Sequence, residues 1–363
     1  MTGKVAATSL RYLCFLTQTA AGATLTPVYC CGSAMQHDPG IIALAIKLVL
    51  LSACLSLIAS PASGQKAGRV PVTIFGDGNP ENGVEDSREQ LMGGRQRGFN
   101  LADQRKNAGS IKCDGKIRGT AMVVDSREFS STLEGVVLAS AAHVLYDLDK
   151  KQRFRRCDFH FLALAELARY RARIDLRNIR SGNFDPTGDS RELESGEGDW
   201  VFLYLPEPWK NFDPDETIAL RDFSFLQMES YRQSGGEIRL IAYDSSAGVI
   251  SVSRNCQVTE SRADDLGGGA WKGQLLDDCD STGGASGGGI VAVMDQQQYL
   301  IGIRSGSHWS AEVFPASEFP SGPPDGSVWS RRSNTNFGRA IDAQLLAELS
   351  GFIKELERKY KIY

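Results

Sequence analysis

Histidine is scarce: four residues in a chain of 363. Metal chemistry finds little to work with. No Cys-x-x-Cys pair occurs and no two histidines lie at ligand spacing, which argues against a zinc site. Charge of one sign is also missing. The formal net charge is −4 and the pI about 5.7, so nothing points to a nucleic-acid partner. Long helices do not alternate with strands, which argues against a doubly wound parallel sheet. No internal repeat is visible. Prolines are few, 13 against 38 glycines, a balance that suits many turns and a strand-rich fold. The 42% hydrophobic and 23% charged content is that of an ordinary globular protein and excludes a wholly disordered, collagenous or coiled-coil chain.

The first 64 residues differ from the rest. They carry Lys4, Arg11 and Lys47 against the single acid Asp38, so the remainder is more acidic than the whole. Lys47 precedes an apolar run, Leu48 to Ile58, and small residues follow, Ala59 to Gly64 with Pro61 among them. A basic residue, a short apolar core and a small-residue exit predict a secretory signal peptide cut after Ala62 or Gly64. Because the run lies far from residue 1, Met35 is a natural start for it. Two other readings stay open. Ile41 to Ile58 is long enough for an uncleaved membrane anchor, though Lys47 in its middle is costly. Leu51-Ser52-Ala53-Cys54 matches a lipoprotein box, but apolar residues continue past Cys54.

Without the leader four cysteines remain, Cys113, Cys157, Cys256 and Cys279. An even number in an exported chain reads as disulfides, and four allow three pairings. Residues 65–110 are polar and Gly-rich, with one strand-like stretch, Val70 to Phe75, and read as an N-terminal extension or propeptide. From residue 111 onward short β-branched and apolar runs recur between turn residues. They are Gly119–Val124, Gly135–Ser140, Arg173–Ile179, Trp200–Leu205, Glu237–Tyr243, Val249–Val252, Gly289–Met294 and Tyr299–Arg304. Phe161 to Arg173 has helix-forming composition. Ile341 to Tyr360 places Ile341, Leu345, Leu349, Phe352, Ile353 and Leu356 on one stripe, which predicts a terminal amphipathic helix. Pro315 to Asn336 reads as a loop.

Three local strings carry chemistry. Leu138 to Ala142 is a strand ending in small residues, and His143 follows it. Asp199 stands at the mouth of the apolar run Trp200–Leu205. Ser286 sits in a glycine-rich turn, Asp280-Ser281-Thr282-Gly283-Gly284-Ala285-Ser286-Gly287-Gly288-Gly289. A serine hydroxyl needs a base within hydrogen-bond reach, and imidazole has a suitable pKa. The imidazole in turn needs a carboxylate to fix its tautomer. Glycines let backbone N–H groups converge where an oxyanion develops.

On these strings the chain, from about residue 111 to its end, resembles the chymotrypsin-like (trypsin-fold) serine peptidases. The resemblance implies an all-β fold of two six-stranded antiparallel barrels with a C-terminal helix. It implies His143 as base, Asp199 as its orienter, Ser286 as nucleophile, and the N–H groups of Gly284 and Ser286 as oxyanion hole. Ser305-Gly306-Ser307 would be the edge that pairs with a peptide substrate. No cofactor or metal is implied. The resemblance also suggests the pairings Cys113–Cys157, beside the base, and Cys256–Cys279, anchoring the nucleophile loop. Ala285 departs from trypsin proper, where an aspartate pairs with a freed amino terminus. The string Thr282-Gly283-Gly284-Ala285-Ser286-Gly287 is closer to the bacterial glutamyl endopeptidases. Specificity stays open. Asp280 stands where trypsin has its pocket aspartate, whereas Arg304 and Ser281 would suit an acidic side chain.

Two other readings compete. Gly284-Ala285-Ser286-Gly287-Gly288 also satisfies Gly-x-Ser-x-Gly, the nucleophile elbow of α/β-hydrolases, but an apolar strand-like run follows the serine where that elbow needs a helix. A trypsin fold that serves only as a binding module is the non-enzymatic reading.

Overall fold

Two five-residue strands show why this sequence makes sheets with a core on each face. Val136–Ser140 and Val201–Leu205 are buried throughout. They pair antiparallel, with Val201 opposite Ser140 and Leu205 opposite Val136. Side chains alternate between the faces of a strand. Accordingly Val136, Leu138, Val201, Leu203 and Leu205 enter one apolar cluster, while Val137, Ala139, Phe202 and Tyr204 enter another. The neighbouring strand Lys116–Val124 divides likewise, Ala121 and Val123 to the first cluster, Met122 and Val124 to the second.

The computed structural model describes residues 73–76, 86–90, 107–160, 171–187, 197–207 and 214–360, apart from 223, 225–226, 228–229, 232, 263–264, 266–272, 295–296 and 321. All of these lie in one compact unit, Ala67–Tyr363. The leader readings and most of the helix expected from Phe161 fall outside the described residues. No helix among the described residues is long and apolar enough to cross a membrane.

The first sheet has seven strands, ordered Ile179–Ser181, Val201–Leu205, Val136–Ser140, Lys116–Val124, Ala108–Cys113, Cys157–His160 and Arg171–Arg173. The second has nine. Its path runs Val258–Glu260, Gln274–Asp277, Asn334–Ala340, Gln297–Trp309, Gly289–Met294, Glu237–Asp244, Val249–Ser253 and Arg88–Gln90, with Ala219–Leu220 beside Gln297–Trp309. Every pairing along both paths is antiparallel. This is the trypsin-like all-β architecture with a C-terminal helix. The sheets exceed six strands because short edge segments of two or three residues join them.

The helix Ala343–Tyr360 closes the molecule. Asp342 caps it, its Oδ1 accepting the Leu345 N–H at 2.8 Å. Arg358 and Lys359 occupy its last turn, where the helix dipole favours cations. Leu345, Leu349, Phe352, Ile353 and Leu356 face inward and join Phe202, Ile241, Val252, Val291 and Leu300 in the cluster shared by both sheets. Most expected strands match to within a few residues at their ends, but Ala108–Cys113, Cys157–His160 and Gln274–Asp277 were not among them, and other segments differ. Arg171–Arg173 is a strand and not the end of a helix, because pairing with Cys157–His160 overrides its composition. Ile179 begins a strand instead of ending one. Asn334–Asn336 belongs to a strand paired on both sides, where a loop was expected from its polar composition.

Both disulfides form, Cys113–Cys157 and Cys256–Cys279. The first links direct cross-strand partners inside the first sheet. The second links the stretch before Val258–Glu260 to the stretch after Gln274–Asp277. Their sequence separations are 44 and 23 residues. By loop-closure entropy each constrains the unfolded chain by roughly 3–4 kcal/mol, slightly more for the longer loop. Urea denaturation should find both Cys-pair-to-Ala variants less stable, the Cys113→Ala/Cys157→Ala protein by the larger margin.

Candidate active site

Strand register brings His143 and Asp199 together. Ala141 follows the strand Val136–Ser140 and leads into a single 3-10 turn, Ala142–Leu145, which carries His143. The alanines are buried to within 1% exposure, so the turn sits tightly against the sheet. Asp199 precedes the strand whose first residue, Val201, lies opposite Ser140. Its carboxylate therefore faces the turn. Oδ1 accepts the His143 backbone N–H at 2.9 Å, and Oδ2 lies 2.7 Å from the ring Nδ1. Asp199 is 4% exposed. Two bonds from one carboxylate fix both the position and the rotation of the ring, and they leave Nε2 free to face the cleft.

Electrostatics single out this histidine among the three described. Burial disfavours the charged imidazole of His143, but the Asp199 charge and hydrogen bond outweigh it and hold its pKa above the ordinary value. His160 is pushed down, first by burial and then by the charges of Lys112 and Arg171. Burial takes His308 down to about 4.

Ser286 lies in the turn between Gly284 and Gly287, both with positive φ, 93° and 80°. At Gly287 a Cβ would stand 2.2 Å from both the Ser140 hydroxyl and the Thr120 carbonyl, so only glycine fits. The turn is fastened to both sheets. The Gly287 N–H donates to the Arg304 carbonyl at 2.7 Å. The Thr120 N–H donates to the Ser286 carbonyl at 2.7 Å. The Thr120 hydroxyl donates to the Gly284 carbonyl at 2.8 Å and accepts the Tyr243 N–H at 2.8 Å. The Ser286 hydroxyl donates to the Ser305 carbonyl at 3.2 Å, so its one proton is turned away from His143 in this rotamer.

His143, Asp199, Ser281, Gly284, Ser286, Arg304 and Ser305–Ser307 all line one cleft of about 460 Å³. Asp280 is placed differently. It is 4% exposed. Its Oδ1 accepts the Phe75 N–H at 2.8 Å, and its Oδ2 accepts the Ser87 N–H and hydroxyl, both at 2.7 Å. Arg304 is 1% exposed, and its Nη2 donates to Asp277 Oδ1 at 2.6 Å and to the Cys279 carbonyl at 3.4 Å. Sequence reasoning overlooked Thr120, Tyr243, Asp277 and the apolar wall of Ile117, Leu148 and Phe184. None stands in a local string that would mark it. Thr120 and Tyr243 are recognisable only once the two sheets are docked.

The nucleophile-elbow reading does not survive the fold. Gly289–Met294, just after Ser286, is a central strand of an antiparallel sheet. No family model matches the chain, and no curated protein sequence matches it. Among solved structures, a Glu endopeptidase in complex with MPD is similar, with a TM-score of 0.44 and 11% sequence identity over 74% of this chain and 98% of that one.

Thr120→Val keeps the side-chain shape but leaves the Gly284 carbonyl and the Tyr243 N–H unpaired. At about 1–3 kcal/mol for each buried group left unsatisfied, a loss of roughly 2–4 kcal/mol is expected in urea titration. Thr120→Ser, which retains the hydroxyl, should recover most of it.

Proposed function

We propose that the protein is a secreted serine endopeptidase. His143 acts as general base, Asp199 orients it, and Ser286 attacks the scissile carbonyl. The observation that carries this reading is the double contact of Asp199 with His143 at the mouth of the cleft that also holds Ser286. Binding of a peptide carbonyl near Ser286 would compete with Ser305 for the hydroxyl, and rotation about one side-chain bond would turn it to His143. Such contacts are often incomplete before substrate binds. His143 takes the serine proton as the tetrahedral intermediate forms and returns it to the leaving amine. The intermediate's oxygen is held by the N–H groups of Gly284 and Ser286, each worth about 2.7–4 kcal/mol of barrier in comparable sites. The acyl-enzyme is then hydrolysed by the same steps with water. Ser305–Ser307 supplies the edge along which the substrate backbone lies.

The two disulfides suit an oxidising compartment outside the cytoplasm. A peptide or protein is the substrate, and no step needs a cofactor. The commitment of the Asp280 carboxylate to Phe75 and Ser87 argues against selection of Arg or Lys through that residue. A silent trypsin-fold binding module is the competing reading, favoured by the Ser286 hydroxyl pointing at Ser305.

A fluorophosphonate probe separates the two. The peptidase reading expects covalent labelling that Ser286→Ala abolishes. An unlabelled protein, or labelling unchanged in Ser286→Ala, leaves the binding module. The pH profile gives a second check. The base must be unprotonated, and Asp199 raises its pKa. The acid limb of kcat/KM should therefore fall at a pH above the ordinary imidazole value of 6.5. In Asp199→Asn the limb should move down in pH while the rate drops by orders of magnitude.

A further inference from the structure

Ala285 is buried and apolar, so it brings no charge that could tether the nucleophile turn. The polypeptide just before the turn is held instead by a segment from the far end of the compact unit. Thr73 and Ser281 exchange both backbone hydrogen bonds, each 2.9 Å. The Thr73 hydroxyl donates to Ser307 Oγ at 2.9 Å, and Ser307 donates on to Asn336 Oδ1 at 2.5 Å. The next residue of the turn approach, Asp280, takes three hydrogen bonds from Phe75 and Ser87. Arg88 reaches Thr282 through Asp244. Its Nη1 lies 3.0 Å from Asp244 Oδ2, and Asp244 Oδ1 accepts the Thr282 hydroxyl at 2.9 Å.

These contacts are built into the interior. Thr73, Ile74 and Phe75 are buried, and Phe75–Gly76 pairs parallel with Ser327–Val328. Arg88–Gln90 is the outermost strand on one side of the second sheet, paired with Val249–Ser253. At Gly76 a Cβ would lie 2.3 Å from the Gly326 carbonyl, so the two segments touch backbone to backbone. The segment thus grips residues 280, 281 and 282 in succession, four to six positions before Ser286, and grips the substrate-facing edge at Ser307. A buried carboxylate with three donors is both satisfied and immobile.

We infer that Thr73–Gly76 and Asp86–Arg88 form an internal clamp that sets the 280–286 loop in the shape its N–H groups need, with Asp280, Ser87 and Arg88 as positioning residues. The clamp uses backbone bonds and side chains and needs no free amino terminus. The segment is accordingly a working part of the enzyme and not a removable propeptide, and Asp280 serves the loop and not the substrate. This inference rests on the peptidase reading.

The test uses the full chain and probes without a specificity side chain: fluorophosphonate labelling and hydrolysis of p-nitrophenyl acetate. Asp280→Asn cannot accept all three hydrogen bonds, and Arg88→Met breaks the path to Thr282. Each should label roughly tenfold or more slowly and lose kcat by a similar factor, with KM for the ester little changed. Arg88→Lys should recover part of the rate, and Ser87→Thr, which keeps the hydroxyl, should stay near wild type. Thermal melting identifies any variant that fails to fold. Ser87→Ala, which loses one of the three bonds, then stands in for Asp280→Asn, with a several-fold loss expected. Wild-type rates in folded Asp280→Asn or Ser87→Ala and in Arg88→Met would overturn the clamp. So would an Asp280→Asn protein that is unchanged on the ester but weakened only on Arg or Lys peptides, because Asp280 would then read substrate. Failure of the peptidase reading looks different: the wild-type protein itself would not label.

Discussion

One threonine joins the two halves of the site. Thr120 belongs to a strand of the first sheet and is fully buried. Its carbonyl accepts the Ser140 hydroxyl at 2.7 Å, at the end of the strand that leads into His143. Its N–H and hydroxyl hold the carbonyls of Ser286 and Gly284, and the same hydroxyl receives Tyr243 from the second sheet. His143 follows a strand of the first sheet and Ser286 precedes one of the second, so their relation depends on whatever fixes one sheet to the other. Apolar packing between the sheets is strong but not directional. The Thr120 bonds are directional and hold the Ser286 turn itself. They set the distances that packing alone leaves loose.

The cleft floor is built on a different physical principle. Arg304 and Asp277 form an ion pair with both side chains at or below 1% exposure. Burying two charges is costly, and such a pair is weak support for stability by itself. Its value here is geometric. Arg304 also donates to the Cys279 carbonyl and, through its own carbonyl, receives Gly287. The pair therefore links the disulfide, the approach to the Ser286 turn and the strand Gln297–Trp309. An arginine on the wall of a cleft reads from sequence as a ligand for an acidic side chain. In the fold its Nη2 is directed inward, to Asp277 and the Cys279 carbonyl.

What the sequence made legible follows from where the physics is local. His143, Asp199 and Ser286 stand in strings whose composition is dictated by chemistry: small residues before a tight turn, a carboxylate at a strand mouth, glycines where φ must be positive. The strand Gly289–Met294 was readable to the residue because it is apolar and buried. Arg171–Arg173 was not, since its neighbours are helix formers and only the partner strand decides its state. Asn334–Ala340 was hidden for a related reason. Its polar side chains are buried by hydrogen bonds to distant residues, such as Asn336 to the Cys279 carbonyl at 2.7 Å. Asp280 shows the sharpest limit. Its position in the string suggested a pocket residue, yet its partners lie some two hundred residues away in sequence.

The two disulfides mark how the molecule divides its constraints. Cys113–Cys157 lies within the first sheet and Cys256–Cys279 joins two segments that flank strands of the second, so neither links one sheet to the other. Covalent bonds stiffen each half, while hydrogen bonds from Thr120 and the shared apolar cluster with its C-terminal helix hold the halves together. The relation of His143 to Ser286 therefore rests on non-covalent bonds across the seam.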